Sequence, residues 1–278
     1  MDYCNPANVV AALIEAGKRK AALSVSDILI RGALSGAILA IATELAIAAA
    51  IQTGLPLVGA LIFPVGFVMI VLLNLELVTG SFAVMPMAQL DGAVCFSDTL
   101  RNWGWSFLGN LLGSLIFAAM AWGTLTMFGA TAAGAVGDRI AAIADAKTLA
   151  FAAHGGAGWA VAFTKAILCN WMVCMAVVMG AVAQSTISKI VAAWIPICIF
   201  FGLGYEHAVV NMFVIPAGMM LGAKTTVESW WLWNQIPVTL GNLCGGMLFT
   251  GLALYSTYRV RQSKSISPVL DAAVSVTS

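Results

Sequence analysis

Two short polar clusters interrupt long apolar stretches of this chain, and they hold most of the side chains that could do chemistry. The first contains Glu76 and Thr79, and the second contains Glu206 and His207 with Asn211 close behind. The two clusters are separated by nearly half of the chain. Carboxylates, a hydroxyl and an imidazole can bind a small ion or move a proton. Polar breaks at corresponding positions of two halves are typical of a transport site at the middle of a membrane.

A second pair of similar segments supports a chain built from two repeats. The sequence LGNLLG at 108–113 recurs as LGNLCG at 240–245, so that Asn110 and Asn242 occupy corresponding positions. The separation of these asparagines is nearly the same as that of Glu76 and Glu206. Internal symmetry of this kind is expected of a transporter made of two inverted repeats.

The composition is that of a membrane protein. Hydrophobic residues make up 61% of the chain and charged residues 9%, whereas about a quarter of a soluble domain is charged. Six stretches are long enough to cross a bilayer as helices, for which about 20 apolar residues suffice. These predicted spans are 28–52, 56–90, 101–128, 157–182, 188–221 and 234–258.

The predicted fold is an all-α polytopic membrane protein with one membrane domain over 1–278. The second and fifth spans are too long for a plain crossing and contain the polar breaks, so each is predicted to form two half-helices. The first repeat is expected over 28–128 and the second over 157–258. A loop at 129–156 joins the repeats, and 259–278 forms a tail.

The distribution of basic residues predicts the orientation. With six spans, nine of the 13 basic residues fall on the side of both termini. The positive-inside rule then places both termini in the cytoplasm or in an organelle's equivalent compartment. The nine are Lys18, Arg19, Lys20, Arg31, Arg101, Lys189, Arg259, Arg261 and Lys264.

The segment 1–25 lies on the same side as these basic residues. It predicts an amphipathic helix on the membrane surface, with Val9, Val10, Leu13 and Ile14 on its apolar face.

Ionisable groups inside the spans need an explanation, because a charge at the bilayer centre costs at least ~2.5–3.5 kcal/mol. Glu76 and Glu206 are predicted to brace the broken backbone by accepting its free amide hydrogens, with contact to a substrate as the alternative. Glu44 has a structural role or faces a neighbouring span. His207 is the only histidine in any span and is predicted to act in transport rather than in packing. With Thr79 and the half-helix N-termini, it suits a small anion.

Other chemistries lack their motifs. The glycines at 155–158 are not followed by the residues of a phosphate loop, and there is no histidine–carboxylate metal spacing and no nucleophile elbow. The six cysteines show no CxxC spacing and are expected to be packing residues. We therefore expect no enzyme activity, no cofactor, no metal ion and no nucleic-acid partner.

These segments together resemble the formate/nitrite transporter family over nearly the whole chain. The stretch LELVTG at 75–80 resembles the family's first signature, which usually reads Glu-Leu-Phe-Thr before a small residue. The stretch KAILCNWMVCMA at 165–176 resembles the second signature. The stretch GYEHAVVNMF at 204–213 matches the break in the fifth span, and LGN at 240–242 matches the last span.

The resemblance implies a homopentamer in a lipid membrane, with an aquaporin-like protomer and one pore per protomer. The substrate would be a small monovalent anion of a weak acid, such as formate, nitrite or bicarbonate, or the acid itself. The implied transport chamber comprises Glu76, Thr79, Asn170, Glu206, His207, Asn211 and Asn242. The implied apolar constrictions comprise Phe63, Phe67, Leu77, Val173 and Phe200.

Two departures from the family pattern affect the expectations. Val78 replaces the usual phenylalanine of the first signature. Lys20 matches a basic residue of the inner vestibule, but the outer vestibule has several candidates. A gapless register puts His154 there, whereas the sequence around Lys147 is more similar to the family's lysine segment, and Lys165 is a third basic group nearby.

The membrane and the substrate stay open from the sequence. A plasma or inner membrane and a plastid envelope both fit, and the alanine-rich chain with Val78 suggests the algal plastid branch that handles nitrite or bicarbonate. A water or small neutral solute channel is the alternative function, because its architecture is similar. The absence of paired Asn-Pro-Ala half-helices in the spans argues against it.

Overall fold

The computed structural model describes residues 3–259 and shows an almost entirely helical chain in that range. The predicted tail beyond Arg259, which includes the basic residues Arg261 and Lys264, lies outside the described residues. The helices are α1 (Pro6–Ala21), α2 (Val25–Thr53), α3 (Pro56–Ile62), α4 (Pro64–Leu72), α5 (Val78–Leu90), α6 (Phe96–Thr126), α7 (Gly134–Ala152), α8 (Gly155–Val182), α9 (Thr186–Gly202), α10 (Ala208–Met220) and α11 (Val227–Tyr258).

The six predicted crossings are confirmed. Helices α2, α6, α8 and α11 are each long and apolar enough to span a membrane. The other two crossings are composite: α3, α4 and α5 form the second, and α9 and α10 form the fifth. Helix α11 remains continuous through two π-helical segments, Trp231–Gln235 and Met247–Leu252.

The second crossing has one more interruption than the sequence analysis predicted. Pro64 follows Phe63 directly and has no amide hydrogen, so helix α3 ends and helix α4 begins at this point. The turn is tightened by a bond from the Gly66 amide to the Phe63 carbonyl at 3.3 Å. The polar break at the end of α4 lies where the sequence predicted it.

The segment 129–156 contains helix α7 instead of the predicted loop. Ile140, Ala144 and Thr148 recur every four residues, which places them on one buried face that packs against α10 and its surroundings. The face was missed because, apart from Ile140, it consists of small or polar residues and gives only a weak hydrophobic signal. Its close approach depends on Gly218 of α10, where an added Cβ would contact the Ala144 methyl.

Helix α7 is the counterpart of α1 in the second repeat. Gly17 of α1 meets Ala88 of α5, whereas Ala144 of α7 meets Gly218 of α10. The two contacts occupy corresponding places in the repeats, with the glycine on opposite partners. We therefore propose that the repeats extend over 6–126 and 134–258, so that each would begin with a short helix, α1 or α7.

The apolar face of α1 contacts protein rather than the membrane surface, contrary to the interfacial helix that the sequence predicted. Val9, Val10, Leu13 and Ile14 are at most 7% exposed and pack in one cluster with side chains of α5, α8 and α11, namely Val84, Met87, Val178 and Tyr255. Full burial of such a side chain stabilises by roughly 1.5–3 kcal/mol. The helix is thereby fixed against the protein, and its last turn holds Lys20 in a defined place.

Glycines bring the long helices of each repeat into close contact. Gly36 of α2 faces the Asn110 carbonyl of α6, and Gly113 of α6 faces the backbone of Ala33. A Cβ at either position would overlap a carbonyl oxygen. Small residues at this spacing let membrane helices approach closely.

We predict that Gly113→Ala destabilises the protein, because the added methyl must push α2 away from α6 at a cost of about 1–3 kcal/mol. Gly104→Ala on the same helix is the matched control, since no atom lies within 4 Å of its added Cβ. Thermal unfolding of the detergent-purified variants would measure the difference. A Gly113→Ala protein as stable as Gly104→Ala would contradict the proposed close packing.

Candidate functional site

The two polar breaks have the same backbone geometry. Five residues, 73–77 and 203–207, separate the half-helices in each repeat. Asn74 and Gly204 occupy corresponding positions with φ of 49° and 62°, the left-handed conformation that glycine and asparagine adopt most readily. The next residue then donates its amide to a carbonyl of the preceding helix at 3.0 Å in both breaks (Leu75 to Ile70, Tyr205 to Phe200).

Asparagines of α6 and α11 satisfy the backbone that the breaks leave open. In the first repeat, Asn110 donates to the Glu76 carbonyl at 2.8 Å and accepts from the Val78 amide at 3.0 Å. In the second, Asn242 donates to the Glu206 carbonyl at 3.0 Å and accepts from the Ala208 amide at 2.8 Å. The predicted bracing by the glutamate carboxylates is therefore wrong, because the amide side chain offers the donor and the acceptor that this task needs.

Each glutamate side chain instead forms a buried ion pair with a lysine. Lys20 Nζ lies 2.8 Å from Glu76 Oε1, and Lys147 Nζ lies 2.8 Å from Glu206 Oε2. The glutamate side chains are 3% exposed and the lysine side chains 19% exposed in both pairs. The lysines come from the last turn of α1 and from α7, so the short helix of each repeat supplies the charge that balances its break.

Two further asparagines complete these pairs and were not predicted as site residues. Asn102 donates to Glu76 Oε2 at 3.1 Å, and Asn234 donates to Glu206 Oε2 at 3.2 Å. Each lies eight residues before the bracing asparagine of its helix, so that the pattern Asn-x7-Asn of α6 recurs in α11. This spacing is the sequence signal that could have identified them, since eight residues make about two helical turns.

The third donor to each carboxylate comes from a different place in the two repeats, because Glu76 Oε2 accepts from the Ser106 hydroxyl of α6 at 3.4 Å whereas Glu206 accepts from Asn211 of α10. Asn211 donates to Glu206 Oε2 at 2.8 Å and to Asn234 Oδ1 at 2.7 Å. The corresponding residue of the first repeat is Ser81, whose buried hydroxyl has no partner among the described residues. Asn211 therefore lies in the Glu206 cluster, not against the predicted chamber.

Thr79 and His207 meet across the two repeats. Thr79 Oγ1 lies 3.1 Å from His207 Nε2, and both residues are almost fully buried. His207 Nδ1 accepts from the Val210 amide at 3.2 Å, which caps the start of α10. This contact places the hydrogen of the neutral ring on Nε2, an assignment inferred from the hydrogen-bond network. His207 then donates to Thr79, which leaves the hydroxyl hydrogen of Thr79 available.

Asn170 of α8 holds the Thr79 backbone. Its Nδ2 donates to the Thr79 carbonyl at 3.0 Å and to the Asn242 carbonyl at 2.6 Å. The buried Oδ1 has no partner among the described residues. Asn170 thus links the first break to helix α11, which braces the second.

One buried amide at the start of each half-helix has no hydrogen-bond acceptor in the described part of the chain. These are the amides of Thr79 and Val209, the second residues of α5 and α10, which occupy corresponding positions in the two repeats. Helix N-termini carry partial positive charge and bind anions. The centre of the molecule therefore presents two amide donors beside the Thr79–His207 pair.

Two cavities approach this centre from opposite sides. The Lys20 cavity, of about 450 Å³, is lined by Phe67, Glu76 and Leu77. The Lys147 cavity, of about 540 Å³, reaches Phe200 and His207. An apolar cluster lies between the two cavities. It contains Phe67, Leu77, Val173 and Phe200, and each of these residues is at most 4% exposed.

The other residue predicted as a constriction, Phe63, lines neither cavity. Its ring stacks on Phe201 at a centroid distance of 4.0 Å and meets Phe200 edge-on at 5.7 Å. Phe200 in turn stacks on the His207 ring at 5.6 Å. Phe63 therefore supports Phe200 from behind, and Phe200 covers the imidazole.

The three candidates for the second vestibule occupy different places. Lys147 lines the cavity that leads to His207. His154 is exposed at the start of α8, and its side chain makes no capping bond there. Lys165 contacts the Gly204 carbonyl at 3.4 Å and does not line the cavity. This geometry favours Lys147.

Comparisons with known proteins agree with this architecture. The family model described as "Formate/nitrite transporter" matches residues 7–256. The chain belongs to the formate/nitrite transporter family. The match covers both breaks, both bracing asparagines and both lysine–glutamate pairs, so the whole site lies inside the family's shared region.

Several curated members of the formate/nitrite transporter family are similar to this chain along most of their length. A probable formate transporter of Methanothermobacter thermautotrophicus is 34% identical over 274 residues, covering 92% of this chain and 97% of the relative. The formate channel FocA of Escherichia coli K12 is 30% identical over 281 residues, covering 92% and 95%. These relatives bear the names of channels and transporters rather than of enzymes.

Solved structures of the formate/nitrite transporter family share the fold. An FNT family ion channel is 25% identical with a TM-score of 0.77, covering 90% of this chain and 98% of that chain. A pentameric formate channel with formate bound is 26% identical with a TM-score of 0.68, covering 84% and 97%. The chain is therefore an integral membrane protein with the helical architecture of this family.

We predict that Asn242→Ala lowers the thermal stability of the detergent-purified protein strongly. The change removes three hydrogen bonds and leaves the Ala208 amide and the Glu206 carbonyl unpaired, whereas the Ala166 carbonyl keeps its partner within α8. Each buried group left unpaired costs about 1–3 kcal/mol. Thr239→Ala on the same helix is the control, because Thr239 makes one 3.3 Å bond with Gln235. Equal melting temperatures for the two variants would argue against the bracing role.

Proposed function

We propose that this protein is a passive or proton-linked channel for small monovalent anions of weak acids, of the formate, nitrite and bicarbonate class, and not an enzyme. One observation carries the proposal. Two half-helix N-termini and the Thr79–His207 pair lie between two lysine-lined cavities that an apolar cluster separates. This arrangement offers donors for an anion at the centre and a dry barrier on either side.

The lysines would collect the anion at each mouth. Lys20 and Lys147 are 19% exposed, and each is balanced by a glutamate whose carboxylate also accepts a hydrogen bond from an asparagine. A cationic cavity with apolar walls raises the local concentration of anions. Arg19 and Arg31 line the Lys20 cavity and Arg139 lines the Lys147 cavity, which adds to this attraction.

The apolar cluster would decide which form of the substrate crosses. A bare anion cannot enter the contact between Phe67, Leu77 and Phe200 without losing its hydration, at a cost of many kcal/mol. A weak acid avoids this cost because it can take a proton in the cavity and cross as the neutral molecule. Chloride has no such form, so the same cluster would exclude it.

Thr79 and His207 would receive the substrate at the centre. The Thr79 hydroxyl hydrogen is free to donate when His207 Nε2–H occupies the hydroxyl oxygen. The unpaired amides of Thr79 and Val209 offer two further donors for a carboxylate or nitrite oxygen. His207 would thus act through Thr79, and as a titratable ring it could also relay a proton.

The assembly and orientation follow from other observations. A solved relative is named as a pentameric formate channel, which supports a homopentamer in which each protomer keeps its own pore. The excess of basic residues on the side of Lys20 supports both termini facing the cytoplasm or its organellar equivalent. The Lys20 cavity would then be the inner vestibule and the Lys147 cavity the outer one.

A flux comparison in proteoliposomes tests the proposed function. We expect formate, nitrite, bicarbonate or hydrosulfide to cross far faster than chloride, and acid pH to increase the rate because more neutral acid forms. Water flux measured by stopped-flow light scattering tests the neutral-solute alternative. Rapid water permeation without any uptake of a weak acid would overturn the proposal.

We predict that His207→Leu keeps the fold but reduces weak-acid flux by at least about tenfold, since it removes the hydrogen-bond donor of Thr79. Leucine is chosen because Leu77 occupies the corresponding position of the first repeat and begins α5 without a side-chain cap. His207→Gln should retain part of the flux, because its amide can still donate. Wild-type flux in a correctly folded His207→Leu protein would show that the imidazole has no transport role.

The role of Lys147 in anion uptake can be separated from its structural role by a paired substitution. Lys147→Met should destabilise the protein, because loss of one partner leaves the buried Glu206 carboxylate unbalanced at a cost of about 3–5 kcal/mol. Lys147→Met with Glu206→Gln should recover stability but not the uptake of anion at low concentration. His154→Ala is the control and should leave uptake unchanged. Recovery of uptake together with stability would limit Lys147 to a structural part.

Trimming both aromatic side chains should reduce selectivity. The double variant Phe67→Ala/Phe200→Ala removes the rings at the inner ends of the two cavities. We expect native flux to hold or rise, while discrimination against chloride and the dependence on acid pH both fall. Planar-bilayer recordings with formate and chloride gradients would measure this, with Phe128→Ala, a largely exposed ring, as the control. Unchanged chloride exclusion in an intact assembly would identify the rings as packing only.

A further inference from the structure

Glu44 is an unpaired carboxylate inside the membrane. It lies on α2, is partly exposed at the side of the protomer, and makes no hydrogen bond or ion pair with any described residue. The other two glutamates within the spans each have a lysine at 2.8 Å. An ionisable group left alone in a membrane span indicates a contact that the single protomer does not contain.

Lys165 is the matching unpaired cation. It lies on α8 and is partly exposed, and its only hydrogen bond with the described chain is a long 3.4 Å bond to the Gly204 carbonyl. No described carboxylate lies within ion-pair distance of its ammonium group. Lys20 and Lys147, in contrast, are already bonded to glutamates.

Counting residues from the helix ends places the two residues at similar depths. The Lys147 cavity includes Ile51 and Gly54 from the end of α2, so α2 ends on the side of α7, where α8 begins. Glu44 is nine residues before Thr53, about 14 Å from the end of α2, and Lys165 is ten residues after Gly155, about 15 Å from the start of α8.

Glu44 and Lys165 also lie on different faces of the protomer. Helix α2 packs mainly against α3, α4, α6, α7 and α10, whereas α8 packs mainly against α1, α5, α7, α9 and α11. A ring of identical subunits joins two different faces of neighbouring copies, so a residue of one face meets a residue of the other. An acid on one face and a base at equal depth on another satisfy this condition.

We propose that Glu44 of one protomer forms an ion pair with Lys165 of a second copy of this chain, at an interface inside the membrane. The inference rests on the proposed homopentamer and adds the residues that join its subunits. The pair would give both charges a partner that lipid tails do not offer, and it would fix the depth at which neighbouring protomers meet.

Cysteine cross-linking tests the contact directly. In a Cys95→Ser background, which removes the exposed native thiol, Glu44→Cys/Lys165→Cys should give an oxidised ladder from dimer to pentamer on a denaturing gel. Each single cysteine variant should give no such ladder. The matched control Glu44→Cys/Lys189→Cys should give none either, because Lys189 lies near the start of α9 on the opposite side of the membrane.

A charge exchange supplies an independent readout. Glu44→Lys places two cations at the interface and should shift the purified protein from pentamer toward smaller species in native mass spectrometry. Glu44→Lys/Lys165→Glu should restore the pentamer.

Two results would overturn the ion pair but not the channel function: a pentameric wild type without the cross-linked ladder, or a Glu44→Lys protein that is as pentameric as the exchanged variant. A wild type that is monomeric in mild detergent and in nanodiscs would overturn the pair together with the pentamer, while weak-acid flux from the same sample would leave the channel function standing.

Discussion

Every feature of the proposed pore depends on one constraint, which is that a polypeptide inside a membrane must satisfy its own backbone polar groups. A half-helix that begins in the middle of the bilayer leaves amides and carbonyls without partners. Asn110 and Asn242 solve this problem with one side chain each, by accepting from the first amide of the half-helix and donating to a carbonyl of the break. Once the first amide is satisfied, the second amide is the one left over. The proposed anion donors at the centre are therefore a consequence of the way in which the breaks are closed.

The scaffold is nearly symmetric, whereas the chemistry is not. Both repeats contain an asparagine that braces the break, a glutamate paired with a lysine, and a turn residue in the left-handed conformation. At the centre the repeats differ: Leu77 corresponds to His207, and Thr79 corresponds to Val209. Positions that hold the backbone thus carry the same interaction in both halves, and positions that face the other half carry different side chains.

The sequence predicted the six crossings, the two broken ones and the meeting of Thr79 with His207. The lengths of the apolar stretches and the repeated motifs can both be recognised in the sequence without a structure. It missed α7, whose buried face contains Ile140 but otherwise only glycine, alanine and threonine, and so carries a weak hydrophobic signal. It also assigned the bracing of the breaks to the glutamates. A carboxylate and an amide side chain are equally plausible in a list of residues, and only the arrangement of α6 and α11 beside the breaks shows which one reaches the backbone. The position of Lys147 in the cavity wall was likewise not predictable from the sequence, because it depends on where α7 packs.

The unlike pair at the centre also constrains how such a protein could arise. Two identical half-molecules related by a two-fold axis would place the same residue at both corresponding positions. Two copies of the first repeat would provide two hydroxyls and no imidazole, and two copies of the second would provide two imidazoles and no hydroxyl. A hydrogen bond between Thr79 and His207 therefore requires two halves that differ in sequence, a condition that two diverged repeats in one chain fulfil. The helix contacts show the same divergence. Each repeat keeps one glycine facing one alanine, but the short helix provides the glycine in the first repeat (Gly17 with Ala88) and the alanine in the second (Ala144 with Gly218).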